Sequence, residues 1–68
     1  MGERWTDHDE RRVRHAEDAW YCGDRAALEE LPPVLRAACR YRLGFGTSGD
    51  LEALTADQRA VLFEAVAR

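Results

Sequence analysis

Helix start and stop signals divide this chain of 68 residues into short segments, and this division constrains the fold more than any other feature. Thr6 begins a segment that ends at Gly23, Pro33 begins one that ends at Gly44, and Thr55 begins the last. Threonine caps helix N-termini, proline suits the first helical turn, and glycine ends helices. Apolar residues recur every three or four positions between these signals. The sequence therefore predicts an all-α protein.

The predicted architecture is a small bundle of three main helices plus one or two short helical turns. We expect the main helices over residues 7–22, 33–43 and 55–68, and the short turns over residues 25–31 and 50–54. A chain of this length buries only about 60% of the surface that it exposes when unfolded. It therefore holds a single helical domain, residues 1–68, for which self-association would be a plausible source of added stability.

The core faces follow from helical periodicity. In the first helix a stripe about 80° wide is expected to face the core, formed by Trp5, Val13, Ala16 and Trp20. The core face of the last helix is predicted to be Leu54, Val61, Leu62, Ala65 and Val66. The exposed face of the first helix carries acid–arginine pairs at the i, i+4 spacing that favours ion pairing, namely Asp7 with Arg11 and Glu10 with Arg14.

The composition limits the cellular environment and the kinds of partner that we expect. Thirteen acidic residues outnumber ten arginines, lysine is absent, and the net charge is −3. Such a charge disfavours nonspecific attachment to nucleic acid or anionic membranes. The use of arginine alone indicates a GC-rich genome, such as that of an actinobacterium or its phage. No apolar run is long enough for a membrane span or a signal peptide, so we expect a cytoplasmic protein whose Cys22 and Cys39 stay reduced.

The sequence offers no constellation for catalysis, metal or cofactor binding. His8, His15 and Cys22 are each seven residues apart, a helical rise of about 10.5 Å per step, so they cannot converge on one ion. Nucleophilic catalysis needs a nucleophile beside a base, but Cys22 and His15 are two helical turns apart, and a pairing of Cys39 with a histidine of the first helix would depend on packing. Residues 44–49 spell G-x-G-x-x-G, but a helix precedes them and Asp50 follows, unlike a dinucleotide site. We expect a flexible connector there, no cofactor and no enzymatic activity.

Phe63 is the residue that best indicates a binding surface. It projects from the side of the last helix opposite the core face, between Ala60 and Ala67, and Phe45 in the glycine-rich loop is its expected neighbour. A helix that is apolar on two faces commonly buries both. We therefore predict a partner-binding surface formed by Phe45, Phe63, Ala60 and Ala67. The partner would be another protein or a second copy, and the chain would act as a regulatory, inhibitory or assembly factor.

The alternative is a nucleic-acid-associated regulator. Residues 54–62, Leu-Thr-Ala-Asp-Gln-Arg-Ala-Val-Leu, resemble the lead helix of bacterial helix-turn-helix domains, including the promoter-binding region of sigma factors. The resemblance implies DNA binding, for which Arg36, Arg40 and Arg42 would supply the basic patch. We rank this function second because the chain is acidic and DNA affinity depends on many phosphate contacts. The connector between the last two main helices is also longer than a usual helix-turn-helix turn.

Overall fold

The computed structural model describes residues 4–67, which form five helices and no strand. The helices are α1 (Asp7–Tyr21), α2 (Ala26–Glu29), α3 (Pro33–Leu43), α4 (Ser48–Glu52) and α5 (Ala56–Val66). Three are long and two are short, so the predicted all-α bundle is confirmed. Arg68, the last residue of the predicted final helix, lies outside the described residues.

Capping residues fix the ends of the long helices where the sequence predicts them. The Thr6 hydroxyl accepts a hydrogen bond from the Asp9 amide at 3.0 Å, and the Asp9 carboxylate accepts one from the Thr6 amide at 3.2 Å. Thr55 and Gln58 form the same reciprocal arrangement at the start of α5. Gly44 ends α3 with a φ of 98°, a left-handed conformation that glycine adopts without steric cost.

The connector after α3 is shorter than the flexible segment predicted over residues 44–49, because α4 begins at Ser48, two residues before the short turn predicted over residues 50–54. Thr47 and Asp50 form a capping box that begins α4, and the Tyr41 hydroxyl donates a hydrogen bond to the Thr47 carbonyl at 2.6 Å. Gly46 lies so close to the Tyr41 ring that an added Cβ would come within 2.4 Å of it. Two of the glycines in the G-x-G-x-x-G pattern thus serve a helix end and a tight approach to an aromatic ring.

Helix α2 is shorter than the predicted segment of residues 25–31. Gly23 adopts a φ of 93°, and the Asp24 carboxylate accepts a hydrogen bond from the Ala26 amide at 3.1 Å, as a cap would. The helix ends at Glu29. Pro32 and Pro33 explain the early end, because a proline disfavours the helical conformation in the residue before it.

The core lies where α3 packs against both α1 and α5. It contains apolar side chains from the three long helices, from α2 and from positions next to the helices, namely Trp5, Val13, Ala16, Leu28, Leu31, Leu35, Ala37, Ala38, Cys39, Leu54, Val61, Leu62 and Ala65. Two residues that were predicted to lie in the core are not fully buried. Trp20 is only half-buried, and Val66 is 41% exposed. Val66 lies on the boundary of the core face because its helical direction is nearer to Phe63 than to Val61.

Candidate functional site

The outer face of α5 presents the large apolar side chain that the sequence singles out. Phe63 is 58% exposed. At about 100° per residue, three alanines lie within about 60° of Phe63 around the helix, and all of them are exposed. We call this set the α5 outer strip: Ala56, Ala60, Phe63 and Ala67. The predicted positions of Phe63, Ala60 and Ala67 on one exposed face therefore agree with the structure.

An apolar cleft adjoins the α5 outer strip. It has a volume of about 80 Å³ and is lined by Tyr41, Leu51, Leu62, Phe63 and Val66. Three helices contribute, because Tyr41 lies on α3, Leu51 lies on α4 and the other residues lie on α5. Sequence reasoning missed the cleft, since it depends on how residues from α3, α4 and α5 come together in the fold.

The two sides of the α5 outer strip carry charges of opposite sign. Asp57 and Glu64 lie about 100° to 120° from Phe63 on the side of Ala60, both are exposed, and neither makes an ion pair within residues 4–67. We call these two residues the acidic edge. Arg59 lies on the opposite side, where its Nη1 donates hydrogen bonds to the carbonyls of Leu51 at 3.2 Å and Leu54 at 2.8 Å.

The predicted position of Phe45 next to Phe63 was wrong. Phe45 is half-buried and stacks on Trp20, with ring centroids 4.9 Å apart and an interplanar angle of 27°. The Arg40 guanidinium lies 5.1 Å from the centroid of the Phe45 ring. Phe45 therefore joins the end of α1 to the loop after α3 and does not line the apolar cleft.

An ion-pair seam joins α1 to α3. Both carboxylate oxygens of Glu10 accept hydrogen bonds from Arg42 at 2.9 Å, and they also accept bonds from Arg14 and the Trp5 indole. The Glu10 side chain is only 12% exposed, so its predicted place on the solvent face was wrong. These bonds, the one from Arg42 foremost, lower the pKa of Glu10 to about 2 despite partial burial. The predicted pair of Asp7 with Arg11 does not form.

Glu17 is the second carboxylate of this seam, two turns along α1. One of its oxygens lies 3.2 Å from Nη2 of Arg42, without hydrogen-bond geometry. Burial raises the pKa of Glu17, and the nearby charge of Arg42 only partly opposes that change. The same contacts raise the pKa of Arg42, chiefly through its hydrogen bonds to Glu10.

The basic patch of the alternative function is partly neutralised. Arg42 is held by the seam, and the Nε of Arg40 donates a hydrogen bond to Asp50 at 3.2 Å. Within residues 4–67 only Arg36, of these three arginines, has no ion pair. Residues 54–62, which resemble the helix-turn-helix lead helix, cover the start of α5.

A second surface depression lies between α1 and α2. This α1/α2 groove has a volume of about 600 Å³, and its floor includes Ala16, Ala27 and Leu31. One wall, which we call the basic wall, is a single exposed face of α1 formed by His8, Arg11, Arg12 and His15. The side of the groove that α1 does not form carries Asp24, in the loop after α1, and Glu30, just after α2. The spacing of residues 8, 11, 12 and 15 is a signal for this face in the sequence, because these positions share one side of a helix.

The cysteines and histidines stay apart. Cys22 is exposed and Cys39 is buried, and both are free thiols. Burial raises the pKa of Cys39 to about 11, so its thiol is protonated at neutral pH. Among residues 4–67 no three histidine, cysteine or acidic side chains come close enough to hold a metal ion.

Comparisons with known proteins identify no relative of this chain. No protein-family model matches the chain, and neither a curated protein sequence nor a solved structure matches it. Across residues 4–67, no helix combines the length and the apolar character needed to cross a membrane. A function must therefore be inferred from the surfaces of the molecule: the α5 outer strip, the apolar cleft and the α1/α2 groove.

Proposed function

We propose that this protein acts through non-catalytic protein–protein contact, as a small regulatory, inhibitory or assembly factor. The contact surface is the α5 outer strip together with the apolar cleft. The proposed setting is the cytoplasm of a high-GC bacterium or of a phage-infected cell, in keeping with a chain whose basic residues are all arginines.

The observation that carries the proposal is the exposure of Phe63 beside the apolar cleft. A single exposed phenylalanine is ordinary on a protein surface. Here, however, Val66 is also exposed, and Tyr41 and Leu51 extend the apolar surface onto two other helices. Aromatic side chains next to small pockets are typical anchors of interfaces, because they bury a large area at a small cost in side-chain entropy.

The dimensions of this surface limit the kind of contact. A cleft of about 80 Å³ has room for one aliphatic side chain of a partner. Stable interfaces bury about 800 Å² on each side, more than one helical strip supplies. We therefore expect a weak or transient contact, strengthened where a partner adds further contacts to the acidic edge.

Affinity capture with two matched variants tests this proposal. Tagged protein is incubated with extract of the cells that naturally express it, and recovered proteins are quantified by mass spectrometry. Phe63→Ser should lose the specific partner at least tenfold, because it removes the anchor. Tyr21→Ser, which removes an aromatic side chain that is 78% exposed on α1, should retain the partner. Equal recovery by wild type and both variants, all with unchanged helical circular dichroism, would contradict the proposal.

The nucleic-acid alternative has less support. Arg40 and Arg42 are engaged in ion pairs, which leaves Arg36 as the one unpaired member of the basic patch within residues 4–67. Fluorescence anisotropy with labelled duplex DNA distinguishes the two functions. Salt-dependent binding that is lost in Arg36→Ala and unaffected in Phe63→Ser would favour the alternative.

A further inference from the structure

Two surfaces of this chain are complementary to each other. The α5 outer strip is an apolar ridge with acidic residues along one side, and the α1/α2 groove has an apolar floor with basic residues along one wall. We propose that α5 of one copy docks in the α1/α2 groove of a second copy. This inference rests on the proposed function in taking Phe63 as a contact residue, and it goes further by naming the occupant.

The charge and length of the basic wall match those of an acidic, elongated partner. His8, Arg11, Arg12 and His15 fall within about 100° around α1, so their side chains form one continuous row about two turns long. All four are exposed, and neither arginine makes an ion pair within residues 4–67. A row of this length matches a helix segment better than a compact ligand.

The acidic edge supplies the complementary charges. Asp57 and Glu64 are seven residues apart on α5, which places them about 10.5 Å apart along the helix axis. His8 and His15 are separated by the same number of residues on α1, with Arg11 and Arg12 between them. Two helices lying side by side therefore bring both acids within reach of the basic wall.

The charges on the other sides of the two surfaces are also complementary. When the acidic edge faces the basic wall, the other side of the α5 outer strip, which carries Arg59, faces Asp24 and Glu30. Phe63 lies between these charged sides and points to the groove floor near Ala27 and Leu31. A groove of about 600 Å³ accommodates a phenyl ring. A partner with reversed charges would meet like charges along both walls.

The topology decides what kind of assembly results. Because α3 packs against both α1 and α5, the groove and the strip are different surfaces of each copy. Unless its rotation closes a ring, such a heterologous contact leaves one free groove and one free strip at the ends of the assembly. The assembly therefore grows beyond a dimer as concentration rises. Each contact is small, so we expect a dissociation constant on the order of 100 µM.

Sedimentation equilibrium on the purified chain, from about 10 µM to about 1 mM, measures this association. The weight-average mass of the wild type should rise above the monomer mass of 7.7 kDa without a plateau at the dimer, and less steeply in high salt. Two reversal variants should each stay monomeric: Arg11→Glu with Arg12→Glu, and Asp57→Arg with Glu64→Arg. The neutral variant Arg11→Gln with Arg12→Gln provides the same test with less change in charge.

A mixture of the two reversal variants is the decisive sample. The reversed strip of one variant complements the reversed groove of the other, and their native surfaces also complement each other, so the mixture should form alternating assemblies although neither variant associates alone. Glu29→Arg and Arg36→Glu change charge at positions that do not line the groove, and both should associate as the wild type does. Circular dichroism confirms that each variant is folded.

Several outcomes would overturn the inference. They are a wild type that stays monomeric at 1 mM, a mixture that fails to associate, or control variants that lose association equally. Loss of duplex DNA binding in the Arg11 and Arg12 variant, with no self-association in the wild type, would assign the basic wall to nucleic acid instead. Partner capture through Phe63 by a protein that remains monomeric would leave the proposed function intact and reject only this inference.

Discussion

The ion-pair seam between α1 and α3 and the outer face of α5 use similar residues in opposite ways. In the seam, the carboxylate of Glu10 is surrounded by donors from Arg42, Arg14 and Trp5. On the outer face of α5, the acidic edge has no ion pair within residues 4–67, and Phe63 is exposed. The seam satisfies the charge of Glu10 internally and so stabilises the fold. The α5 face leaves its groups available for a second molecule.

The largest effect should come from removing the centre of the seam. Arg42→Ala leaves Glu10 and Glu17 in a half-buried site without their shared cation, and removing one partner of such a pair costs about 3 kcal/mol. Urea unfolding at pH 7 measures this free energy. Arg36→Ala is the control and should change the free energy of unfolding by less than about 0.5 kcal/mol. Equal effects of the two substitutions would mean that the seam is not a stabilising region.

Acid should weaken the seam in a defined pH range. The pKa of Glu10 is lowered from 4.5 to about 2 in the folded chain, so between these values the unfolded state binds more protons than the folded state. The stabilisation is complete above pH 4.5 and is lost as the pH falls towards 2. We expect a loss of about 2 kcal/mol, typical of hydrogen bonds to charged groups.

The variant Glu10→Gln identifies the source of this pH dependence. It should reduce stability at pH 7 and flatten the unfolding free energy between pH 4.5 and 2. An unchanged acid profile in this variant would assign the acid sensitivity to other carboxylates, and would separate the seam from the stability of the fold.

Glu17 should respond in the opposite direction. Burial raises its pKa, so at neutral pH its charged form costs stability that the protonated form does not. Glu17→Gln should therefore stabilise the chain at pH 7 by roughly a few tenths of a kcal/mol, as measured by urea unfolding. The gain should disappear at pH 4 and below, where Glu17 itself takes up a proton. A destabilised variant at pH 7 would show that the contact with Arg42 outweighs the burial.

Local signals made the fold predictable, whereas the surfaces depend on packing between distant segments. Caps at Thr6 and Thr55 and the glycine at Gly44 act within one helical turn, so the helix ends could be found from the sequence. The pairing of Glu10 with Arg42 joins residues that are 32 positions apart, and no local pattern encodes it. The exposure of Phe63 was predictable from the periodicity of α5.

Some features that were not predicted had a signal in the sequence, and others had none. Residues 47–50 repeat the capping pattern that begins α1, so the start of α4 was available to sequence reasoning. The stacking of Phe45 on Trp20 was not, because it depends on how the loop after α3 folds back over the end of α1. The apolar cleft needs three helices in place, which explains why Phe63 alone among its residues was predicted to lie on a binding surface.

Phe63 should contribute little to stability, in contrast to Arg42. Phe63→Ser removes a side chain that is more than half exposed, so the free energy of unfolding should change by less than about 0.5 kcal/mol. The same substitution should abolish self-association, because it removes the largest apolar contact of the α5 outer strip. Urea unfolding and sedimentation equilibrium on one preparation measure both quantities. A loss of more than about 2 kcal/mol would show that Phe63 belongs to the core, and the division between a stabilising seam and a binding face would not hold.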